Sequence, residues 1–317
     1  MTAPWLTVIM PVFNGAATLG RTLASLPVDA PGIEILVIDQ GSGDASRAIA
    51  AAHAEGRNLR IIDAPQNVSW MQNTNLGLRE AQSDLVTILH QDDVWLPGRA
   101  EALRAQLDRH PEAGCWLHAS AYIDPDDRRI GRFAPPFGGK DALIAPERAL
   151  ARLIVQNTVA LPSVVFRRDL ALRGGGLDET LWYTADWDLW LRLAAAAPMA
   201  WSPETRTGFR LHRGSLTVTG SRDLAEFGRQ LAIPPARHLD ALPAATGRRL
   251  RPVIEASNAV NLLLAGRFHG AAGTATAATC AQVMALGPRG IWCLLRDSRI
   301  VARVRPRLRL LRGRKTA

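Results

Sequence analysis

The residues best suited to chemistry stand together in the stretch 83–93, SDLVTILHQDD, where a short apolar run leads into four polar side chains. Asp92 and Asp93 are adjacent carboxylates, which repel each other unless a cation or a proton lies between them. Carboxylates at the end of a strand suit a hard divalent cation that also binds diphosphate oxygens. His90 is a candidate third ligand, although imidazole suits transition metals better than Mg²⁺. Asp93 has an alternative role as cap of a helix that begins near Pro97, whereas Asp92 has no such role.

A second acidic pair lies in ADWDLWLRLAAAA, 185–197, which predicts a helix with Asp186 as its N-cap. Asp186 and Asp188 then stand near a helix N-terminus, where the helix dipole keeps a carboxylate ionised. An ionised carboxylate that faces a cleft is a candidate general base, while the alternative is two acids that only stabilise the helix. The indoles of Trp187 and Trp190 suit the faces of sugar rings, although helical spacing favours Trp190 as a core residue.

Two more polar segments follow predicted strands. In DQGSGDAS, 39–46, the glycines permit a tight turn, and Asp44 can cap the next helix. Asp39 can accept hydrogen bonds from a nucleobase or ribose, but a plain strand–helix turn is the alternative. The segment matches neither the dinucleotide-binding glycine pattern nor a P-loop. In FRLHRGSLT, 209–217, His212 is a candidate contact to phosphate or metal, or a structural histidine.

The elements that must position these side chains alternate along the first half of the chain. Strands that alternate with helices and are almost continuously apolar indicate a parallel sheet covered on both faces. In such sheets ligands bind at the carboxyl ends of the strands, which is where the polar clusters fall. We predict strands at 6–13, 33–39, 59–63, 85–90 and 163–167, and helices at 18–26, 44–55, 97–110 and 185–197. The composition predicts a main domain at 1–220, a helical extension at 221–295 and a basic tail at 296–317.

The net charge of +9 comes entirely from the C-terminus, because ten arginines and lysines from Arg289 onward face one acid, Asp297. The rest of the chain is electrically balanced, so we predict no nucleic-acid partner. In the tail, arginines interleave with Ile, Val and Leu, which is typical of segments that bind anionic membrane surfaces. Pro306 predicts a broken or extended segment rather than one helix. The alternative is a disordered basic end.

The remaining features favour a reducing, intracellular location. Three widely separated cysteines predict neither a disulfide framework nor a zinc site. The first residues lack the basic region of a signal peptide, and no apolar run reaches the roughly 18 residues of a membrane span. We therefore expect a cytoplasmic protein that the tail holds at the inner face of the membrane.

The order of these motifs resembles that of family 2 glycosyltransferases of the GT-A fold, which are inverting enzymes that use nucleotide-diphosphate sugars. The resemblance extends from about Leu6 to Thr217. The family's opening strand and helix are matched by VIMPVFNGAATLGRTLASL. Its nucleotide loop DDGSxDxS resembles VIDQGSGDAS, and its segment NxGxxxARNxG resembles QNVSWMQNTNLGL. ILHQDDVWLPGRAEAL resembles the strand with the DxDD pattern, GGGLDE…YTADWDLWLRLA the GGFDE and ED motifs, and FRLHRGSLT the closing YRxHxxSxS strand.

The resemblance implies an α/β fold with a Rossmann-like, mostly parallel sheet covered by helices. It implies Asp186 as the general base and a Mg²⁺ or Mn²⁺ ion at Asp92 and Asp93, with His90 as a candidate further ligand. Contacts to the nucleotide sugar are expected from Pro11, Phe13, Asn14, Asp39, Ser42, Asn75, Gln91 and Asp92. Residues on the acceptor side or in supporting positions are expected to be Trp182, Trp187, Asp188 and His212. The expected acceptor is a glycan or a lipid-linked glycan of a bacterial surface polysaccharide.

The sequence departs from the family pattern at Gln40, Ser69, Thr74, His90 and Ala185. The family has an acidic residue where this chain has Gln40, His90 and Ala185. It has a glycine at the position of Ser69 and an arginine at the position of Thr74. Because one acid of the metal motif is replaced, a sugar-nucleotide-binding protein without activity is one alternative. A nucleotidyltransferase is a less favoured alternative, because PVFNGAA lacks the arginine that such enzymes carry after their first strand.

Overall fold

Almost continuously apolar segments of the first half form the central strands of one large sheet. The structure is a computed structural model and describes residues 3–28, 32–66, 68–212, 214–270 and 275–312. The strands of these residues are β1 (Leu6–Val12), β2 (Ile33–Asp39), β3 (Asn58–Asp63), β4 (Leu85–Ile88), β5 (Val94–Trp95), β6 (Cys115–Ile123), β7 (Arg129–Phe133), β8 (Ala142–Ile144), β9 (Val164–Arg167) and β10 (Met199–Arg210).

The sheet joins a parallel half to a mixed half. Its strands follow the order β3-β2-β1-β4-β9-β6-β10-β5, with β7 paired to β6 and β8 to β10. β3, β2, β1 and β4 are parallel neighbours, β9 runs antiparallel between β4 and β6, and β6 is parallel to β10. Every residue of β1 and β2 is buried, as expected of strands covered on both faces. The predicted α/β fold with a doubly covered sheet is confirmed.

Helices lie on both faces of the sheet and make up the C-terminal region. They are α1 (Ala16–Ala24), α2 (Ser46–Ala52), α3 (Trp70–Glu80), α4 (Arg99–Arg109), α5 (Pro146–Leu153), α6 (Arg168–Arg173), α7 (Ala185–Ala196), α8 (Leu216–Thr219), α9 (Leu224–His238), α10 (Ala244–His269), α11 (Ala275–Ala285), α12 (Gly287–Ser298) and α13 (Ile300–Arg312). The predicted helical extension is confirmed.

The apolar core forms two clusters, one on each face of the sheet. Successive residues of a strand point to opposite faces, so Val8 and Ile9 of β1 belong to different clusters. The cluster that contains Ile9 also contains Leu231 of α9 and Leu294 of α12. The C-terminal helices therefore share a core with the sheet, and the predicted boundary at 220 does not separate two cores.

Several predicted helix starts are wrong, and each error has a local cause. Helix α4 begins at Arg99, because Gly98 adopts a left-handed conformation with φ 75° and serves as its N-cap. Asp93 is therefore not the cap of this helix. Helix α7 has Thr184 as its N-cap, so Asp186 lies inside the first turn instead of capping it. Asp44 precedes the N-cap of α2, although it still accepts a hydrogen bond from the backbone N–H of Ser46 at 2.9 Å.

The predicted form of the basic tail is also wrong. The chain breaks at Arg299, where φ is 52°, and then continues as helix α13 straight through Pro306. Pro306 is buried and lies against Gly131, where a Cβ atom would come within 2.5 Å of the proline ring. Arg309 of α13 donates to the carbonyl oxygen of Ile130 at 2.8 Å. The helix therefore packs on β7, and residues 313–317 of the predicted tail lie outside the described residues.

Candidate active site

Two cavities open at the carboxyl edge of the sheet, where the polar clusters were expected. The larger one, of about 570 Å³, we call the β1 cavity, because it lies over the end of β1. The smaller one, of about 160 Å³, we call the Asp186 cavity. Six residues line both cavities and therefore form the wall between them, namely Trp70, His90, Asp92, Arg210, Ser215 and Leu216.

The β1 cavity is built by a network that joins the loops after β1 and β4. Gln91 accepts from the backbone N–H of Phe13 at 2.8 Å and donates to the carbonyl oxygen of the same residue at 3.0 Å. Asn14 has a left-handed φ of 48°, and its side chain accepts from the N–H of Gly43 at 2.9 Å. Phe13 leaves 52% of its surface exposed beside the cavity. The predicted residues Pro11, Phe13, Asn14, Gln91 and Asp92 all line this cavity.

Three predicted donor contacts do not line the β1 cavity. Asp39 is buried and accepts a hydrogen bond from Ser42 Oγ at 2.6 Å, while Ser42 in turn accepts from the N–H of Asn14 at 3.0 Å. Asn75 is also buried, and its amide bonds Leu177 and Glu179 instead of the cavity. These residues hold loops that bear the lining side chains. Residues that were not predicted as donor contacts, among them Thr18, Arg21, Gln40 and Asn73, line the cavity in their place.

The two aspartates of the metal motif have different environments. Asp93 is buried and accepts from the backbone N–H of Arg210 at 2.9 Å. Burial and the nearby charge of Asp92 raise the pKa of Asp93 well above its usual range. Asp92 faces the cavities, and its Oδ2 lies 3.0 Å from Nε2 of His212. Burial works against ionisation here, but the hydrogen bond with His212 and the imidazole of His90 hold the pKa of Asp92 below its usual value.

The predicted trio His90, Asp92 and Asp93 does not form a preformed cluster of ligands among the described residues. Among the residues described, no three His, Cys, Asp or Glu side chains converge on one point. The pair that does converge is Asp92 with His212, which the sequence had assigned to the acceptor side or a supporting position. His90 lies edge-on to Trp70, with ring centroids 5.3 Å apart, and its buried Nε2 has no partner within the described chain.

Asp186 lines the smaller cavity and is held at both carboxylate oxygens. Asn157 Nδ2 donates to Oδ2 at 2.9 Å, and the backbone N–H of Trp187 donates to Oδ1 at 2.8 Å. Burial raises the pKa of Asp186 to about 6, against the effect of the hydrogen bond from Asn157. Asn157 was not predicted from the sequence. It follows α5 and comes near Asp186 because α5 packs against α7.

The remaining predicted residues have structural contacts. Trp187 is buried and donates from Nε1 to the carbonyl oxygen of Leu153 at 2.8 Å. Trp182 lines neither cavity and donates to Glu226 at 2.8 Å. Asp188 is buried and bonds both Arg192 and His238 at 2.9 Å, so it is not available to an acceptor. Asp186 is therefore the carboxylate of the α7 pair that reaches the cavity.

The comparisons with known proteins agree with this architecture. The sequence model described as glycosyl transferase family 2 matches residues 7–157. An uncharacterized protein of Mycobacterium tuberculosis (strain CDC 1551 / Oshkosh) is 30% identical over 227 residues, which cover 68% of this chain and 70% of that protein. The amylovoran biosynthesis glycosyltransferase AmsE of Erwinia amylovora is 28% identical over 174 residues, or 54% of this chain and 61% of AmsE.

The solved structure of S. aureus TarS 1–349 in complex with UDP-GlcNAc superposes with a TM-score of 0.70 at 16% identity, over 95% of this chain and 88% of that one. At this identity the likeness concerns the fold.

No helix among the described residues is long and apolar enough to cross a membrane. From the family match, the relatives and the fold together, the chain belongs to glycosyltransferase family 2 and is a glycosyltransferase with a GT-A-like fold.

Proposed function

We propose that the protein is an inverting glycosyltransferase, which moves a sugar from a nucleoside-diphosphate donor to a hydroxyl group of a glycan or lipid-linked acceptor. The observation that carries the proposal is the arrangement of the two cavities, with Asp92 on their common wall and Asp186 in the smaller one. The complex of TarS with UDP-GlcNAc supports a donor of this class. The name of AmsE supports a role in surface polysaccharide synthesis.

The nucleotide fits the β1 cavity. Phe13 offers an exposed ring for stacking on a base, at the end of the strand that opens the fold. Gln40 and Asn73 supply amide groups in the same cavity, and Asn73 donates to Gln40 at 3.2 Å. The sugar would then extend past Asp92 into the Asp186 cavity, which shares that wall.

The donor set of Asp92 and His212 fits a divalent cation. A carboxylate oxygen and an imidazole nitrogen 3.0 Å apart supply two ligands, and the phosphates of the donor would supply others. A divalent cation bound there would stabilise the negative charge of the departing diphosphate. An imidazole ligand favours Mn²⁺ over Mg²⁺. His90 lines both cavities, and its buried Nε2 has no partner among the described residues. A hydrogen on this nitrogen can be donated to a phosphate oxygen of the donor.

Asp186 would act as the general base. Its carboxylate would take the proton of the acceptor hydroxyl as that oxygen attacks the sugar from the side opposite the diphosphate, which gives inversion. A base works best when its pKa lies near the working pH, and the pKa of Asp186, at about 6, meets this condition. Asn157 holds the carboxylate in a fixed orientation, because its Nδ2 donates to Oδ2 of Asp186 at 2.9 Å.

The experiment that tests this function follows both products. Purified protein is incubated with UDP and GDP sugars and a glycan acceptor, and release of the nucleoside diphosphate and the anomeric configuration of the product are measured. An α-linked donor should give a β-linked product, and Asp186→Asn should abolish transfer while donor affinity remains close to that of the wild type. Retention of configuration, or full turnover by the variant, would contradict the mechanism. Donor binding without diphosphate release in the wild type would favour a binding protein without activity.

We further infer that the enzyme binds an anionic membrane surface through a basic cleft between α5, α10 and α12. The cleft, of about 500 Å³, has Trp292 at its edge, with 60% of its surface exposed. Asp297 lies buried beneath it and pairs with two of its arginines. The lining arginines are Arg148, Arg152, Arg249, Arg289 and Arg296. An exposed indole among arginines suits the interface of an anionic bilayer.

Vesicle binding tests this surface. Each basic residue near an anionic leaflet contributes about 1 kcal/mol to binding. The charge reversal Arg289→Glu removes one positive charge and adds one negative charge, so it should cost about 2 kcal/mol and weaken binding to phosphatidylglycerol vesicles by roughly 30-fold at low salt. Arg128→Glu, on an exposed turn, is the matched control and should bind as the wild type does. Equal sedimentation of both variants with the vesicles would exclude the cleft as the docking surface.

A further inference from the structure

The C-terminal helix forms part of the wall around Asp186. Arg303 and Arg307 of α13 line the Asp186 cavity and do not line the β1 cavity. The two residues are four apart in the helix, so their side chains leave it on the same face. They stand beside Tyr122, Phe133 and Phe209, whose rings pack with centroids 4.9 to 5.9 Å apart. The cavity thus combines an aromatic surface with two guanidinium groups.

Among the described residues no carboxylate lies within ion-pair distance of the two guanidinium groups, although Asp92 and Asp186 line the same cavity. Arg303 donates to Oδ1 of Asn261 at 3.0 Å and to the carbonyl oxygen of Ser298 at 3.4 Å, which are neutral acceptors. Among the described residues neither Arg303 nor Arg307 forms an ion pair. Burial and the neighbouring Arg307 lower the pKa of Arg303 to about 10, so Arg303 remains charged at neutral pH.

Two other arginines that lie largely inside the protein have a carboxylate partner, whereas the buried Arg99 has none among the described residues and donates to the carbonyl oxygen of Pro162. Arg210 has its guanidinium 2.5 Å from Asp127, and Arg152 lies 2.9 Å from Asp297. Like charges four residues apart in a helix destabilise it, and a buried charge without a counter-ion is costly. His269 lies near Arg307, and burial together with the charges of Arg222 and Arg307 lowers the pKa of its imidazole. A histidine side chain is neutral or positive, so it does not act as a counter-ion for these arginines. An anion bound in the cavity would offset this cost.

We propose that the acceptor carries an anionic group, a phosphate or a carboxylate, which Arg303 and Arg307 bind beside the hydroxyl that is glycosylated. The proposal rests on the proposed function, since it makes the Asp186 cavity the acceptor site. The diphosphate of the donor is assigned to Asp92 and His212, and His212 lines only the β1 cavity, which the two arginines do not line. The guanidinium fork suits both phosphate and carboxylate oxygens. Acceptor choice is therefore a property of the C-terminal helix.

Calorimetry with three small probes tests the proposal on the full chain. Glucose 6-phosphate, glucuronate and glucose are titrated into the protein in EDTA, so that no metal-dependent diphosphate site contributes. At least one of the two anions should bind tenfold or more tightly than glucose, which is about 1.4 kcal/mol. The stronger of the two identifies phosphate or carboxylate as the recognised group. No preference of either anion over glucose would overturn the proposal.

Variants assign the binding to the helix. Arg307→Gln should abolish the tenfold preference for the anion, and Arg307→Lys should restore part of it. Arg305→Gln is the matched control, because Arg305 is exposed on the same helix and does not line the cavity. An equal loss in both glutamine variants would overturn the assignment, as would an unchanged preference in Arg307→Gln. Asp186→Asn should keep the preference, so a failure of the catalytic mechanism is distinguishable from a failure of this inference.

Discussion

Asn157→Ala should move the acid limb of the pH–rate profile to higher pH. Asn157 donates to Asp186 at 2.9 Å and stabilises the ionised carboxylate, which is the active form of a general base. Without that bond the neutral form is favoured, so the pKa of Asp186 rises from its value of about 6. The activity that depends on the ionised form is then lost at pH values where the wild type still works.

The size of the shift follows from the strength of one hydrogen bond. A hydrogen bond to a charged group contributes about 1.5–3 kcal/mol, and one pKa unit corresponds to about 1.4 kcal/mol. Asp186 is only half-buried, so the lower end applies and the shift is about one unit. The ionised fraction at pH 6 then falls from about one half to about one tenth, roughly a fivefold loss of kcat.

The assay is diphosphate release at saturating donor and acceptor between pH 5 and pH 9. The control is Asn58→Ala, an identical substitution at an exposed position at the start of β3. Thermal unfolding of each variant identifies any loss of folded protein. An acid limb at the same pH in wild type and Asn157→Ala would refute the assignment of Asp186 as the titrating base. So would equal rates of the two at pH 6.

Asp92→Ala and His212→Ala should each weaken binding of the nucleotide sugar in the presence of Mn²⁺ and have little effect on binding in EDTA. Thermal shift measures the binding. Wild-type binding that is the same with and without EDTA would exclude the metal. Asp186→Asn should be more stable than the wild type at pH 8 but not at pH 4, because the folded pKa of about 6 exceeds the ordinary value of 3.8 and the ionised form opposes folding. Equal stability differences at both pH values would contradict the raised pKa. Gly77→Ala should lower the free energy of unfolding by about 1–3 kcal/mol, because its Cβ would lie 2.3 Å from Ile9 Cγ2 in the core; Gly43→Ala, with open space around it, is the control.

The parallel half of the fold could be predicted from the sequence because its determinants are local. Each of β1 and β2 is a buried, mostly apolar run with a polar residue and a glycine soon after it, and their bounds agree with the prediction to within one residue. β4 ends at Ile88, two residues before the predicted end, although the N–H of Leu89 still donates to the carbonyl oxygen of Ile9 and the turn that carries Asp92 begins at Gln91. The polar residues after each strand were therefore correctly expected at one edge of the sheet.

The pairing of site residues could not be predicted, because it depends on contacts between distant segments. Asp93 lines the Asp186 cavity but not the β1 cavity, and it accepts from the N–H of Arg210, which lies 117 residues further along the chain. Asp188 is bonded to His238 of α9, and no local pattern distinguishes it from Asp186. The role of His212 was open from the sequence, and only its distance from Asp92 identifies it as that residue's partner.

The two cavities are built by different parts of the chain, which bears on how the specificity of such an enzyme is divided. The β1 cavity takes most of its lining from the segment that matches the family model, whereas Asp186 and the wall around it come largely from residues beyond 157. Phe227 and Leu231 of α9 and Arg303 and Arg307 of α13 belong to that wall. The C-terminal helices are thus part of the proposed acceptor site, and removal of residues 296–317 would open the Asp186 cavity as well as shorten the basic region. A truncation of that segment cannot separate membrane binding from acceptor binding, whereas Arg289→Glu and Arg307→Gln, on different surfaces, can.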